Sequence, residues 1–344
     1  MRLAALDLGS NSFHALIADV DRSGRLDVVE KVKRMPRIGE GIFRTGAISD
    51  VARRQALRAI DDLLPVVERN RPDAVYAVAT SAVREARNGR EFIEDVRGRF
   101  GLDVRIISGD EEARLSWVGA RARLGDRIGR ATLFDLGGGS LEAIWGAGDR
   151  VVCTASAPLG VLRAVVERPL SDPPSARELR ALEQWARREV SAFLAPYRGA
   201  DFGQLVLCAG TARAVRAVAR ALELIPSEGP ESSRIARDTL GEMIERLAPL
   251  SLAARRRTPA LDPGRVDLIV HGLVMLDAIL AAARADEALV CRAALREGLI
   301  LEQSRAWRTR APRRARHRVH VAPSGIRLPS RTATIRAARP ACAP

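Results

Sequence analysis

The segment FDLGGGSLEAIWG, residues 134–146, combines the residue types that a phosphate or metal site needs. Glycines let the backbone approach an anion closely, and their N–H groups can form a nest around phosphate oxygens. Carboxylates are hard oxygen ligands, and Mg²⁺ binds through one or two of them together with substrate phosphates. Between positions 135 and 142 the segment places two carboxylates, three glycines and a hydroxyl: Asp135, Gly137, Gly138, Gly139, Ser140 and Glu142. Three interpretations compete: a nucleotide-binding loop, a metal-assisted phosphate site, and a tight turn that binds nothing.

The two standard nucleotide loops do not fit this segment. The dinucleotide pattern GxGxxG needs a third glycine where the chain has Glu142, and a carboxylate there would repel pyrophosphate. The P-loop needs a Gly-Lys-Ser/Thr sequence, but the only lysines of the chain are Lys31 and Lys33. An inert turn explains the glycines but not Asp135 beside them. The phosphate site is therefore the favoured interpretation, with Asp135 and Glu142 as candidate Mg²⁺ ligands.

A second copy of the pattern strengthens this interpretation. When Asp7 is aligned with Asp135, the stretch DLGSNSFHALI matches DLGGGSLEAIW in its leucine, its glycine and its serine. The hydroxyl and amide side chains of this copy add hydrogen-bond donors for phosphate. Its candidate phosphate-binding residues are Asp7, Gly9, Ser10, Asn11 and Ser12.

Two charged residues near predicted turns are further candidates. Arg84 follows a predicted strand, where its guanidinium could clamp phosphate oxygens in a bidentate manner or simply face solvent. Ser108 and Glu111 predict a capping box at the start of a helix, where the helix dipole also favours acids. This box leaves Glu112 unassigned, and a carboxylate near bound phosphate could act as a general base on water.

The elements that must position these residues also occur twice. Residues 2–18 and 131–147 each read as strand, turn and strand. VYAVATSAVREAR and LVLCAGTARAVRAVAR each read as strand, turn and helix, with Gly210 and Thr211 in the second of these turns. Two pairs of units in the same order predict a duplicated α/β domain, and helical periodicity after Ser171 predicts extra helices in the second copy.

Composition limits the class of protein without identifying a partner. The chain has 344 residues, 47% of them hydrophobic, and a net charge of +14. Ten of these charges are arginines of residues 307–344, so the rest of the chain carries only +4. Predicted domains cover 1–125 and 126–306, and 307–344 reads as a disordered tail. Such a tail could bind nucleic acid or another polyanion electrostatically, or have no specific partner.

Cellular location and assembly follow from weaker signals. The four cysteines form no CxxC pair, which is typical of reduced thiols in a cytoplasmic protein. No signal peptide is recognisable, and the longest apolar region is interrupted by His271 and Asp277, so no membrane span is expected. A homodimer is the expected assembly from general frequencies of oligomers.

The motifs together resemble a known family. DLGSNSFHALIADV, ATSAVREARN, ISGDEEARLSWVGA, FDLGGGSLEAIWG and ALREGLI occur in the order found in the exopolyphosphatase / guanosine pentaphosphate (pppGpp) phosphohydrolase family, called Ppx/GppA. The chain is similar to the short, two-domain form of that family. This resemblance implies two ribonuclease-H-like domains around a phosphate-binding cleft, as in actin, sugar kinases and heat-shock ATPases.

The resemblance also implies roles for individual residues. Glu112 corresponds to the catalytic base, and Asp135 and Glu142 to acids linked to a divalent metal. Arg84, the Asp7–Ser12 turn and the Gly137–Ser140 turn correspond to phosphate contacts. The segment PRIGEGIFRTGAIS, with Arg37 and Gly39 to Gly41, corresponds to a loop near the cleft mouth. The turn CAGTARAVRAVA departs from the family, because Arg213 and Arg216 follow Gly210 and Thr211.

The implied activity is removal of the terminal phosphate from inorganic polyphosphate with Mg²⁺ or Mn²⁺ as cofactor. Hydrolysis of pppGpp to ppGpp is the first alternative, because both substrates end in the same group. A polyphosphate or nucleotide sensor with little turnover is the second. An ATP-using kinase or chaperone of the wider superfamily is disfavoured, because it shares the phosphate turns but not the Glu-Glu-Ala-Arg helix start.

Overall fold

The computed structural model describes residues 1–197, 201–229 and 233–309. The predicted tail, apart from its first three residues, lies outside this part of the chain. No helix within these ranges is both long and apolar enough to cross a membrane.

The first polar turn lies in a five-stranded mixed sheet. Its strands are ordered β3-β2-β1-β4-β5, with β1, β2 and β3 antiparallel and with β4 and β5 parallel to β1. Strand β1 is almost continuously apolar because it lies at the centre of the sheet. The strands are β1 (Arg2–Leu8), β2 (Phe13–Val20), β3 (Leu26–Arg34), β4 (Ala74–Ala79) and β5 (Val104–Ile106).

The second polar turn lies in a six-stranded sheet that repeats this plan. The order is β10-β11-β9-β6-β7-β8, so β8-β7-β6-β9-β11 reproduces the strand order and directions of the first sheet. The antiparallel edge strand β10 is additional. The strands are β6 (Arg130–Leu136), β7 (Leu141–Ala147), β8 (Arg150–Ala157), β9 (Gln204–Cys208), β10 (Arg234–Ala236) and β11 (Glu287–Val290). This confirms the predicted duplicated α/β fold.

Five helices connect or follow the strands of the first sheet: α1 (Gly39–Thr45), α2 (Asp50–Arg69), α3 (Ser81–Glu85), α4 (Gly89–Phe100) and α5 (Gly109–Leu124). Seven follow in the second half: α6 (Val161–Glu167), α7 (Ala176–Leu194), α8 (Ala209–Ala221), α9 (Arg237–Leu247), α10 (Leu252–Arg255), α11 (Ile269–Ala282) and α12 (Leu295–Thr309). Helices α7, α9 and α11 contribute much of the core on one face of the second sheet. They are the extra helices that the periodicity predicted.

The start of α5 differs in one detail from the prediction. The Ser108 hydroxyl accepts a hydrogen bond from the Glu111 N–H at 3.1 Å, as expected for an N-cap. The return half of the capping box was predicted wrongly, because the Glu111 carboxylate accepts a hydrogen bond from Arg105 at 2.8 Å. A guanidinium on the neighbouring strand offers a charge-assisted bond that the Ser108 N–H does not.

Helices α5 and α12 cross each other between the two sheets. Leu115 of α5 and Leu299 of α12 pack with the apolar face of the first sheet, whereas Trp117 packs with the second. The crossing requires glycines, because a Cβ atom on Gly298 would lie 1.9 Å from the Leu115 carbonyl oxygen. A Cβ atom on Gly119 would lie 2.1 Å from a carbonyl oxygen at the start of the partner helix. Helix α12 thus follows the second sheet in sequence but covers the first sheet in space.

Candidate active site

The two polar turns contact each other at the junction of the two halves. The turn between β1 and β2 and the turn between β6 and β7 both lie at strand ends, where ligands of α/β proteins usually bind. A Cβ atom on Gly138 would lie 3.1 Å from Asn11, and one on Gly139 would lie 2.4 Å from Ser81 and 2.6 Å from Ser10. These two glycines are therefore needed for the approach of the turns to each other.

Carbonyl groups of the second turn are held by helix α6. The first two N–H groups of α6 donate to the carbonyl oxygens of Gly137 and Gly138 at 3.0 and 2.9 Å. The Arg163 Nε donates to the Gly139 carbonyl oxygen at 3.1 Å, and the same guanidinium pairs with Glu85 of the first half. The carbonyl groups of this turn thus point towards α6 and accept hydrogen bonds from it.

The first turn is held in the same way. The Gly39 N–H donates to the Ser10 carbonyl oxygen at 2.9 Å, and the Arg37 N–H donates to the Asn11 carbonyl oxygen at 3.2 Å. In contrast, the turn N–H groups donate to no acceptor within residues 1–197, 201–229 and 233–309: Ser10, Asn11, Gly138 and Gly139. Free N–H groups on neighbouring turn residues form the kind of nest that binds anions.

A cavity of about 110 Å³ lies beside the two turns. Thirteen predicted site residues line it: Asp7, Gly9, Ser10, Asn11, Ser12, Glu112, Asp135, Gly137, Gly138, Gly139, Ser140, Gly210 and Thr211. Arg84 and Glu142, which were also predicted, do not line it directly. The fold therefore brings together turns that are more than a hundred residues apart in the sequence.

One wall of the cavity is acidic. Asp135 accepts a hydrogen bond from the Ser116 hydroxyl at 2.6 Å. Glu142 lies opposite Asp135 across β6 and β7, and its Oε1 accepts a hydrogen bond from Ser156 at 2.9 Å. The Glu142 Oε2 is buried without a hydrogen-bond partner among the described residues. Asp7 occupies the position in β1 that Asp135 occupies in β6.

Burial raises the pKa of each of these acids. It raises the pKa of Asp7 to about 6, and burial together with Asp135 raises the pKa of Glu142 to about 8. Burial and the nearby Glu142 also raise the pKa of Glu112 well above its ordinary value. Such a set of acids is stabilised by a proton or by a cation.

The acidic wall fits a cation that takes few protein ligands. Among residues 1–197, 201–229 and 233–309, no group of three or more acid, histidine or cysteine side chains converges on one point. Mg²⁺ binds through one or two carboxylates and takes its other ligands from water and phosphate. Asp135 at the cavity and the unpaired Oε2 of Glu142 behind it fit that requirement.

Glu112 is the acid placed best to act on water. Its side chain lies at the cavity in the first turn of α5 and is 13% exposed. The Arg84 Nη1 donates to the Glu112 Oε2 at 3.3 Å and to the Ile107 carbonyl oxygen at 2.7 Å. The Arg84 charge opposes the rise in the Glu112 pKa, so Arg84 favours the ionised form of this acid.

Another part of the lining is basic, and this basic wall was not predicted. Arg213, Arg265 and Arg296 line the cavity, and no described carboxylate lies within ion-pair distance of them. Burial lowers the pKa of Arg265 to about 10, so the residue keeps its charge at neutral pH. His14 also lines the cavity, 2.8 Å from the Ser12 hydroxyl. Burial and Arg296 hold the pKa of His14 well below its ordinary value, so the ring is neutral at pH 7.

Part of this wall had a usable signal in the sequence. Arg213 and Arg296 lie in the first two turns of α8 and α12, the helices that follow β9 and β11. They occupy strand–turn–helix positions, as Arg84 does. Arg265 lies in a short 3-10 turn without such a context. Its guanidinium packs against Gly210, where a Cβ atom would lie 2.2 Å from an Arg265 nitrogen.

Comparisons with known proteins agree with this architecture. The model of the Ppx/GppA phosphatase family matches residues 16–306. Exopolyphosphatase 1 of Mycobacterium tuberculosis is 30% identical over 305 residues, which are 88% of this chain and 88% of that protein. Exopolyphosphatase 2 of the same organism is 32% identical over 285 residues, which are 80% of this chain and 89% of that protein.

A solved structure gives the same result for the fold. The crystal structure of an exopolyphosphatase from Cytophaga hutchinsonii superimposes with a TM-score of 0.79 at 21% identity. The superposition covers 89% of this chain and 98% of that one. At this identity the likeness supports the fold alone.

Proposed function

Because the chain belongs to the Ppx/GppA phosphatase family, we propose that it hydrolyses the terminal phosphoanhydride bond of inorganic polyphosphate. The observation that carries the proposal is that one cavity is lined both by N–H groups without an acceptor and by charged side chains without an ion-pair partner. Free turn N–H groups and three arginines without described carboxylate partners suit a phosphate chain. The carboxylates of the acidic wall suit a divalent cation and a general base.

The residues of the cavity divide the work of the reaction. The N–H groups of the two turns bind the terminal phosphoryl oxygens, and Arg213, Arg265 and Arg296 hold the phosphates and offset their charge. Mg²⁺ or Mn²⁺, held by Asp135 and Glu142, supplies further positive charge for these oxygens. Glu112 orients the attacking water and accepts its proton, and Arg84 keeps Glu112 available as a base. Such catalysis consists mostly of positioning and charge stabilisation.

The lining of the cavity favours polyphosphate over pppGpp as substrate. A protein that selects a nucleotide usually stacks the base on an aromatic side chain. No Phe, Tyr or Trp belongs to the described lining, which is made of glycines, small and aliphatic residues, polar residues including His14, and charges. The terminal phosphates of a nucleotide fit the same site, so hydrolysis of pppGpp remains the second candidate.

The substrate is tested by measuring phosphate release from short polyphosphate, long polyphosphate and pppGpp side by side with Mg²⁺ or Mn²⁺. We expect kcat/KM to be highest for polyphosphate. A higher value for pppGpp would replace the proposed substrate by the alternative. Tight polyphosphate binding without phosphate release under either metal would identify a sensor instead.

The role of Glu112 has a matched control in its neighbour. Glu112→Gln is expected to lower kcat by about 10²–10⁴-fold while polyphosphate binding is kept, because a general base contributes that much. Glu111→Gln removes an equal charge one residue away, where the carboxylate pairs with Arg105 on the surface. We expect Glu111→Gln to stay within about twofold of the unchanged protein. Full activity of Glu112→Gln would exclude Glu112 as the base.

We further propose the cytoplasm as the place of action and a homodimer as the assembly. The free thiols of Cys208 and Cys291 support a reducing compartment. Light scattering after size-exclusion chromatography measures the assembly, and a monomer mass would reject the dimer.

A further inference from the structure

Two of the ion pairs that cross between the halves of the protein hold one segment beside the cavity. The Arg37 Nη1 donates to the Asp267 Oδ1 at 3.0 Å, and the Arg37 Nη2 donates to the Oδ2 at 2.5 Å. Lys33 at the end of β3 pairs with Asp262. Each cation belongs to the first half of the chain and each acid to the second. The first half thus holds the segment 262–267 at both of its ends.

Arg265 lies between the two held acids. It lines the cavity, whereas Asp262 and Asp267 on either side of it turn to the first half. No described acidic side chain pairs with Arg265, so no partner of its own fixes its guanidinium. The position of the guanidinium therefore depends on the backbone around it.

The backbone contacts of this segment are close and specific. The Arg37 Nη1 also approaches the Gly264 carbonyl oxygen at 3.4 Å. A Cβ atom on Gly264 would lie 2.4 Å from the Met35 sulfur, so the segment between β3 and α1 packs directly on the one that carries Arg265. Arg37 itself has a left-handed backbone with φ of 52°, which directs its side chain from an uncommon conformation.

We propose that Arg37 and Lys33 position Arg265 in the cavity, by holding Asp267 and Asp262 on either side of it. The inference rests on the proposed function, since Arg265 is taken as a phosphate contact. The four charged side chains of the pairs are 23% to 41% exposed, so each pair adds little to stability by itself. Their effect is geometric: a small displacement of a phosphate-binding group can lower the rate considerably.

A double-mutant cycle with Arg265 separates positioning from other roles. We expect Arg265→Ala to lower kcat/KM for polyphosphate about 100-fold, as loss of a donor to the reacting group does. Arg37→Ala should lower it about tenfold, because Arg265 is then less well placed. In the Arg265→Ala background, Arg37→Ala should change kcat/KM by less than about twofold. Arg37→Lys should recover part of the loss, because it keeps a charge beside Asp267.

The matched control is Arg34, whose ion pair with Asp62 at 3.0 Å lies within the first half. Arg34→Ala should lower kcat/KM by less than about twofold in both backgrounds. A full tenfold effect of Arg37→Ala in the Arg265→Ala background would overturn the proposal, because Arg37 would then act on substrate independently. Unchanged activity of Arg37→Ala in the otherwise unmodified protein would overturn it as well.

Hydrogen exchange tests whether Arg37 holds the segment 262–267, without relying on catalysis. Amide exchange of residues 262–268, followed by mass spectrometry, should become faster in Arg37→Ala and stay unchanged in Arg34→Ala. Equal exchange rates in the unmodified protein, Arg37→Ala and Arg34→Ala would show that Arg37 does not hold this segment, even if the protein hydrolyses polyphosphate. If the unmodified protein released no phosphate, the proposed function would be rejected. The exchange rates would still show whether Arg37 holds the segment 262–267.

Discussion

Glu142 should make the ligand-free protein less stable as the pH rises, and Glu142→Gln should reduce this dependence. The side chain is fully buried, and one of its oxygens lacks a described partner. Burial and Asp135 raise the pKa of Glu142 from an ordinary 4.5 to about 8. A group whose pKa is raised on folding stabilises the fold below its unfolded pKa. This contribution is lost as the pH rises through the folded pKa.

The size of the effect follows from these two pKa values. Each pH unit between them corresponds to 1.36 kcal/mol, so ionisation of Glu142 costs the folded state roughly 5 kcal/mol in all. Roughly 2 kcal/mol of this falls between pH 6 and pH 8. One kcal/mol shifts the unfolding midpoint of a large domain by about 2–4 °C, so we expect a fall of about 5–8 °C over that range.

The assay is thermal unfolding followed by circular dichroism from pH 6 to pH 8 in a chelator. Starting at pH 6 excludes most of the contribution of Asp7, whose pKa burial raises to about 6. The control is Glu178→Gln: hydrogen bonds from Ser171 and Ser175 lower the pKa of this half-buried acid to about 2. Its contribution is lost only as the pH falls below the unfolded value, so the control should lower the midpoint equally at pH 6 and pH 8. Equal slopes for the unmodified protein and Glu142→Gln would refute the reasoning.

Three further substitutions, the first with a matched control, test the contact between the turns, the hydrogen bond to Asp135 and the helix crossing. Gly139→Ala places a Cβ atom 2.6 Å from the Ser10 hydroxyl oxygen of the facing turn and 2.4 Å from the Ser81 hydroxyl oxygen of α3. It should lower the free energy of unfolding by about 1–3 kcal/mol in urea titrations. Gly241→Ala, in α9 with no neighbour within 4 Å, should raise it by about 0.5–1 kcal/mol, and equal effects of the two would contradict the turn contact. Ser116→Ala removes a donor to Asp135, so the Asp135 pKa should rise and Mg²⁺ affinity by calorimetry at pH 7 should fall. An unchanged affinity would argue against Asp135 as a ligand. Gly298→Ala meets a carbonyl oxygen of α5 at 1.9 Å and should lower stability by about 3 kcal/mol or more; a loss below 1 kcal/mol would show that the helix crossing adapts.

The duplicated fold could be predicted because its signals are local. A glycine turn between two apolar stretches predicts a hairpin, and two hairpins with the same acid before the turn predict a repeat. The strand pairings give the repeat a physical meaning: Asp7 pairs with His14 as Asp135 pairs with Glu142. The site residues on these turns were predictable for the same reason, although their chemical roles stay a prediction.

Arg265 of the basic wall could not be predicted, because tertiary packing alone brings it to the cavity. Arg265 is one of many arginines and lies in a short turn with no strand before it. The contacts that direct this segment to the cavity, among them the ion pairs of Asp262 and Asp267 with the first half, join parts of the chain that are far apart in sequence. The start of α5 shows the same limit, because a local capping pattern at Glu111 was overridden by Arg105 from a neighbouring strand.

The return of α12 to the first sheet has a consequence for how the chain folds during synthesis. Leu3 of β1 and Leu299 of α12 share one apolar cluster, although almost the whole described chain separates them. Contacts between residues so distant in sequence slow folding, because a long loop must close before they form. The first sheet should therefore leave the ribosome with part of one apolar face uncovered. Its core is complete only after α12 emerges. A chaperone that recognises exposed apolar surface would have its longest opportunity to bind during that interval.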